Sequence, residues 1–486
     1  MNDLKRRNLT MLTDFYEITM ANGYFLNGKG DTTAQFDMFF RTIPDNGGFA
    51  IMAGVEQLIE YFKNLHFDAD DIEYLRSLKL FSEDYLDYLK DFKFTCDVWA
   101  VPEGTPIFPK EPIVTVKGPA IQAMMIETMV LLTVNHQSLI ATKANRISRA
   151  AQGRPVMEFG ARRAQGADAA YYGARAAVIG GCTGTSVVKT AKDFGVSASG
   201  TMAHSWVQLF DDEYEAFKKY AEMYPDSTLL LVDTYNVLKS GIPNAIRVFN
   251  DVLKPMGKRP LGIRIDSGDI TYLSKKVRKM LDEAGYEDCK ICVSNSLDEY
   301  LIRDMIFQGA RVDSFGVGER LITASSEAVF GGVYKLAAIE RNGKIIPKIK
   351  VSENTAKITL PGVKIPWRLF DKATGKAIAD VITLNDEKID DTEPYEIFDP
   401  VFTWKRKTVT DFKAVKLQKK IFENGRQVYE SPSVKEISKY REQQVGSLWD
   451  EVTRFEKPHT YYVDLSQKLW DQQQTLLNEV ASKNEI

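Results

Sequence analysis

The stretch Ser199-Gly200-Thr201-Met202-Ala203-His204-Ser205-Trp206 sets one of only four histidines in a 486-residue chain just past a short apolar run, Val196-Ser197-Ala198. Small residues ahead of it let the backbone come close to a ligand. An imidazole with an ordinary pKa of about 6.5 is largely neutral, and therefore nucleophilic, near pH 7. The plain alternative is a histidine resting against a neighbouring carbonyl. The rest of the pattern favours chemistry. Apolar runs recur at Val156-Met157-Glu158-Phe159, Ala177-Val178-Ile179, Val196-Ser197-Ala198, Leu229-Leu230-Leu231-Val232, Leu261-Gly262-Ile263-Arg264-Ile265, and within residues 290–293 and 312–317. Each is followed by residues that handle charge or sit close to a ligand. In order these are Gly160-Ala161-Arg162-Arg163, Gly180-Gly181-Cys182-Thr183-Gly184-Thr185-Ser186, Ser199 to His204, Asp233-Thr234-Tyr235-Asn236, Asp266-Ser267-Gly268-Asp269, Ser294-Asn295-Ser296 and Gly316-Val317-Gly318.

Glycine-rich turns between a strand and a helix bind phosphate, because their backbone N–H groups and the positive helix end favour an anion. Residues 180–186 and 316–318 read as two such turns, although neither has the Walker A spacing or a full G-x-G-x-x-G. Arg162, Arg163 and Arg264 can each make bidentate contacts to phosphate or carboxylate. Asp266 and Asp269 can bind ribose hydroxyls or hold magnesium through waters. The plainer reading of that pair is a helix cap and a surface carboxylate. The set as a whole implies a ligand with several phosphates and a sugar.

These residues gather at one place only if the runs are strands of a parallel sheet. Amphipathic helical segments at 243–252, 270–284 and 297–308 separate most of them, and strands alternating with helices are βαβ units. Six or seven units in succession predict a closed or nearly closed barrel whose carboxyl-end rim carries the chemistry; a flat doubly wound sheet is the alternative. Residues 1–140 mix the two element types, with helices expected at 13–25, 54–63 and 82–90, strands at 35–40, 98–101 and 113–116, and a long helical region at 120–150 broken near Asn135. Beyond Lys335 the helical alternation stops and hairpin signals take over at 344–358, 363–370 and 377–384, followed by helices near 433–444 and 465–480. The expected division is an N-terminal α+β segment over 1–140, an α/β barrel over 141–335, and a segment over 336–486 that folds back onto the N-terminal part.

Composition narrows the class. A net charge of −3 argues against nucleic acid as a partner. Residues 1–13 are polar and mixed in charge, and the best apolar run, 123–134, is short and interrupted by Glu127. A cytoplasmic protein without membrane attachment is expected. Cys289-Lys290-Ile291-Cys292 has the C-x-x-C spacing, but it lies in a strand-like run with no second pair, so neither zinc nor redox use is expected.

The motifs Thr13-Asp14-Phe15-Tyr16, Asn135-His136-Gln137-Ser138, Ala141-Thr142-Lys143-Ala144, Glu158-Phe159-Gly160-Ala161-Arg162-Arg163-Ala164, Gly200 to Ser205, Arg264-Ile265-Asp266-Ser267-Gly268-Asp269 and Gly331-Gly332-Val333-Tyr334-Lys335-Leu336 run in order over most of the chain. In these the chain resembles the nicotinate phosphoribosyltransferases. The resemblance implies a type II phosphoribosyltransferase fold: an irregular α/β barrel with an α+β open-faced sandwich built from both chain ends. It implies joining of nicotinate to 5-phosphoribosyl 1-diphosphate, with ATP as co-substrate, Mg²⁺ as cofactor, and a homodimer with shared active sites. Phe159 and Tyr16 would then sandwich the pyridine ring, Tyr16 arriving from the partner subunit. Arg162 or Arg163, Arg264 and Thr201 would meet the carboxylate and nearby phosphates. Asp266 would hold the ribose, Asp233 would be a further substrate-binding residue, and Ser294, Gly316 and Gly318 would cradle the 5-phosphate. His204 would be phosphorylated by ATP. Glu319 departs from the family, where a small residue or threonine is common after the second glycine, and this puts its side chain's part in phosphate binding in doubt. A nicotinamide-specific relative is the nearest alternative, but Cys182-Thr183-Gly184-Thr185 has no carboxylate to repel nicotinate. A barrel lyase or isomerase acting on phosphosugars would need a Schiff-base lysine or a glutamate base on the rim, and a nucleotide sensor would not need the histidine.

Overall fold

A computed structural model describes residues 7–354 and 357–484, which form two compact units. One comprises residues up to Leu139 with Val329–Pro432 and Lys439 onward; the other comprises Ile140–Ala328 with Ser433–Ser438. The division falls within the helix Glu127–Ala150.

The Ile140–Ala328 unit is built on a six-stranded, all-parallel sheet. In spatial order its strands are Gly184–Thr185, Val156–Glu158, Ser314–Val317, Lys290–Val293, Gly262–Ile265 and Leu229–Leu231. The β-branched Ile263, Ile265, Ile291, Val293 and Val317 are fully buried, as expected of strands covered on both faces. Helices Ala167–Gly180, Ile270–Glu283 and Glu299–Phe307 return the chain between them. The last two start on aspartate caps: Asp269 accepts from the Tyr272 N–H at 2.9 Å and Asp298 from the Leu301 N–H at 2.8 Å. Ala198 adds a parallel bridge to Thr185 at one edge of the sheet. The residues just beyond that bridge meet those just beyond the opposite edge strand, since His204 Nδ1 lies 3.1 Å from Thr234 Oγ1. The sheet therefore curls into an irregular α/β barrel.

This unit departs from the sequence expectation at its second apolar run and at the glycine-rich turn after it. Ala177-Val178-Ile179 is not a strand but the last turn of the helix Ala167–Gly180. Residues 173–180 are all buried, Arg175 among them, so the apolar run Ala176-Ala177-Val178-Ile179 shows no helical period. The strand of this unit is only Gly184–Thr185. Gly180-Gly181-Cys182 is consequently a helix-to-strand turn at the amino end of the sheet. Gly181 ends the helix at φ 129°, and a Cβ on Gly180 would lie 2.3 Å from the Ala141 carbonyl oxygen. These glycines serve close helix packing, away from the carboxyl-end rim.

The other unit interleaves the two ends of the chain. Its seven-stranded antiparallel sheet runs Lys344–Pro347, Val333–Arg341, Thr33–Phe39, Val114–Pro119, Asp97–Ala100, Lys419–Glu423 and Arg426–Gln427. A four-stranded sheet, Phe412–Lys416, Lys364–Asp371, Ala377–Leu384 and Val463–Leu465, carries a buried ion pair between Arg368 and Asp380 at 2.6 Å. The expected break near Asn135 is absent. The interruption falls at residues 125–126, between Ala120–Met124 and Glu127–Ala150. Asn135 instead stays helical and accepts from the Gly332 N–H at 3.2 Å. No helix among the described residues is long and apolar enough to cross a membrane.

Candidate active site

Arg264 stands on the strand Gly262–Ile265, and its side chain is only 14% exposed. Its guanidinium donates in three directions: Nε to Ser294 Oγ at 2.8 Å, and the terminal nitrogens to Thr201 Oγ1 at 2.7 Å and Asp266 Oδ1 at 2.8 Å. The same Asp266 oxygen accepts a short bond from Ser294 Oγ. One arginine thus ties together the carboxyl ends of three neighbouring segments, and the planar fork of guanidinium suits that task. Its face lies 5.7 Å from the Phe159 ring centroid.

Asp233 follows the strand Leu229–Leu231, and its side chain is 1% exposed. Its Oδ2 accepts from the Asp266 N–H at 3.0 Å and from Ser267 Oγ at 2.5 Å. Its Oδ1 is buried with no hydrogen-bond donor among the described residues. His204 Nε2 lies 3.9 Å from that oxygen and 3.9 Å from Asp266 Oδ2, and the imidazole is 40% exposed. The two ring nitrogens therefore differ in surroundings: Nδ1 meets a hydroxyl and Nε2 faces two carboxylates.

The Phe159 ring packs against Gly316, where a Cβ would come within 2.5 Å of the ring. Gly160 allows the turn to close on Ile322 and the Gly318 carbonyl, which an added Cβ would approach within 2.6 and 2.7 Å. These glycines have a packing reason that stands beside any contact with phosphate. Ser294 is buried, and Asn295 and Ser296 after it hold φ of 93° and 49°. Two consecutive non-glycine residues in the left-handed region are backbone strain of the kind found at ligand clamps. Arg162 and Arg163 form an exposed turn. Arg163 Nε lies 3.5 Å from Glu319 Oε2, so the unusual Glu319 occupies that arginine, while Arg162 has no polar partner among the described residues. Asp269 is a helix cap, as the plainer reading had it. Tyr16, on the helix Phe15–Leu26 of the other unit, is 43% exposed. Partial burial, then Glu127 and the nearby Glu17 and Asp14, push its hydroxyl above the usual tyrosine range, so it stays neutral and hydrogen-bonds Glu127.

Thr234 and Glu158, which the sequence marks only as members of longer stretches, help to frame the site, and Glu299 is a buried acid that the sequence does not single out. Buried Glu158 accepts from Thr185 Oγ1 at 2.6 Å and from the Gly160 N–H, and burial raises its pKa despite both bonds. Glu299 is fully buried and held by Lys143 at 2.9 Å and Arg146 at 2.8 Å. The readable signal was the cation pair three residues apart on a helix. Cys289 and Cys292 are buried, unpaired thiols.

As for a cation, Mg²⁺ takes one or two carboxylates and completes its shell with water and substrate phosphates. Asp233 and Asp266 fit that use, and the donor-free Asp233 Oδ1 gives such an ion a ligand. Among the described residues no group of three or more His, Cys, Asp or Glu forms a protein-only metal cage.

Three family models match in series: the nicotinate phosphoribosyltransferase N-terminal domain over residues 11–135, the nicotinate phosphoribosyltransferase family over 155–360, and the C-terminal domain over 363–473. A nicotinate phosphoribosyltransferase of Bacillus subtilis is 44% identical over 483 residues, covering 99% of this chain and 98% of that protein. One of Dictyostelium discoideum is 33% identical, covering 95% and 87%. The crystal structure of human nicotinic acid phosphoribosyltransferase superposes with a TM-score of 0.84 at 27% identity, covering 96% of this chain and 99% of that one. A chain matched end to end in sequence, in domain order and in backbone belongs to the nicotinate phosphoribosyltransferase family.

Proposed function

We propose that the protein joins nicotinate to 5-phosphoribosyl 1-diphosphate, giving nicotinate mononucleotide and pyrophosphate, with coupled hydrolysis of ATP, as a cytoplasmic step of NAD biosynthesis. The observation that carries this reading is the Arg264–Asp266–Ser294–Thr201 cluster beside His204. It offers positive charge, ribose-binding carboxylates and an accessible imidazole on one rim. Bound magnesium would supply charge neutralisation for the diphosphate, held by Asp233 and Asp266.

The pyridine nitrogen attacks C1 of the ribose as the bond from C1 to the diphosphate oxygen breaks. Asp266 orients the ribose, and Arg264 offsets the growing charge on the leaving group. Ser294 with the turn at Gly316 and Gly318 receives the 5-phosphate. Phe159 supports one face of the base, with Arg162 the free cation for its carboxylate. In the ATP-coupled half, Nε2–H turned to the carboxylates leaves the Nδ1 lone pair of His204 to attack the γ-phosphorus, and ADP leaves. Later attack by water breaks the P–N bond and returns the ring. The buried free thiols of Cys96, Cys289 and Cys292 suit a reducing compartment.

The enzyme is a homodimer with shared sites in this reading. Leu12, Phe15 and Met20, on or just before the helix that carries Tyr16, are 50%, 52% and 41% exposed, and exposed apolar side chains of this kind suit burial against a second copy. Tyr16 would then complete the base site of the partner.

Incubation with 5-phosphoribosyl 1-diphosphate, Mg²⁺, ATP and either nicotinate or nicotinamide tests the assignment. Nicotinate mononucleotide should form, with little turnover of the amide, because a site built for an anion leaves its cation unpaired against a neutral amide. Equal use of both bases overturns it. With γ-labelled ATP, the native protein should carry an acid-labile, alkali-stable label that His204→Ala lacks, and that variant should keep slow ATP-independent transfer. Equal labelling of the variant removes His204 from the mechanism.

A further inference from the structure

The unit formed by the two chain ends contains a cavity of about 460 Å³ that no step above uses. Its size falls in the range of small-molecule sites, roughly 300–1,000 Å³. Phe39, Leu336, Leu360, Ile382, Val463 and Leu477 make its walls apolar. Its charges are three lysines against one aspartate: Lys110, Lys335, Lys364 and Asp37.

Two of the lysines are already engaged. Lys364 is buried, donates to the carbonyls of Leu360 at 2.8 Å and Gly362 at 2.7 Å, and pairs with Asp37 at 2.8 Å. Lys335 donates to the Tyr334 carbonyl at 2.7 Å and lies 3.5 Å from Glu127. Lys110 is exposed, and its ammonium has no partner among the described residues. Its backbone is held at φ 72°, a conformation that L side chains rarely adopt, with its N–H donated to the Phe40 carbonyl at 2.9 Å. Strain of that kind persists where the surroundings impose it, and it occurs often at ligand clamps. The mouth therefore combines an unengaged cation with an apolar interior, and the buried ion pair leaves no second charge to satisfy.

We propose that this cavity is a second ligand site, separate from the rim, for an amphipathic organic monoanion whose apolar body fills the interior while its acidic group meets Lys110. The probes are 8-anilinonaphthalene-1-sulfonate and its uncharged counterpart N-phenyl-1-naphthylamine, titrated by fluorescence into the full-length protein. The anionic probe should bind one site per chain, several-fold more tightly than the neutral one. Saturating nicotinate and 5-phosphoribosyl 1-diphosphate should leave that binding unchanged, which keeps the result independent of the reaction assigned to the rim. Val401 lines the mouth and is 65% exposed, so Val401→Trp should fold normally and block entry of both probes. Lys110→Ala should lower the affinity for the anion to that for the neutral probe. Circular dichroism checks that both variants are folded. Absence of binding, equal affinity for the two probes, displacement by the rim substrates, or unchanged binding in either variant overturns the proposal.

Discussion

A guanidinium that touches three segments does more than supply charge. Arg264 orients Ser294, Thr201 and Asp266 at once, so its removal takes away a cation and loosens the three groups around it. Arg264→Ala should cost about 1.5–3 kcal/mol of transition-state stabilisation, as for other lost charged hydrogen bonds. That corresponds to a fall of roughly ten- to 150-fold in kcat/KM. Arg264→Lys should not restore it, because an ammonium cannot span three acceptors with planar geometry. Steady-state kinetics on both variants, with unfolding midpoints to confirm the fold, decide this. Near-native activity in the alanine variant would place the charge elsewhere.

Among the elements, the helix Phe15–Leu26 is fastened by an acid. Glu17 is fully buried and accepts from the Thr128 N–H at 3.0 Å, from the Thr128 hydroxyl and from the Thr13 hydroxyl. Burial nevertheless outweighs these bonds and raises its pKa to about 7. Because the folded-state pKa lies above the unfolded value of about 4.5, the folded chain binds the extra proton. Stability from this group is full below about pH 4.5 and is lost as the pH rises toward about 7. Glu17→Gln keeps one acceptor and one donor, like the protonated acid, but never ionises. The variant should match the native protein below about pH 4.5 and exceed it by about 3–4 kcal/mol above pH 7, since one pKa unit is about 1.4 kcal/mol. Urea unfolding across that range measures the difference, and parallel curves for the two proteins would refute the assignment.

For the whole molecule, the proposed sharing of sites between two subunits can be tested by complementation. Tyr16→Ala leaves the rim intact and Arg264→Ala leaves the tyrosine intact. When the two are co-expressed, half of the dimers are mixed, and one of the two sites in each contains both native residues. Activity should return to about one quarter of the native value although each variant alone is poorly active. A mixture no better than its components would mean that each chain completes its own site, or that Tyr16 has no part in it.

The candidate residues stood out in the sequence because their types are restrictive. A histidine among small residues, three arginines and Asp266 suit the binding of phosphate and sugar, and the structure brings His204, Arg264 and Asp266 together. The alternation of apolar runs with amphipathic helices was equally legible, since period 2 and period 3.6 leave different marks. The segment 176–179 was not, because a helical run buried at every position has no polar residues to mark its turns. Asn135 looked like a break but is a helical residue whose side chain receives the Gly332 N–H, a partner 197 positions away. Distance along the chain likewise hid the engagement of Arg163 by Glu319 and of Asp266 by Asp233. By itself, then, the sequence determined which side chains can act and that a parallel sheet must carry them. Only the tertiary structure decided which of them meet, because hydrogen bonds and burial depend on neighbours in space that the order of residues does not state.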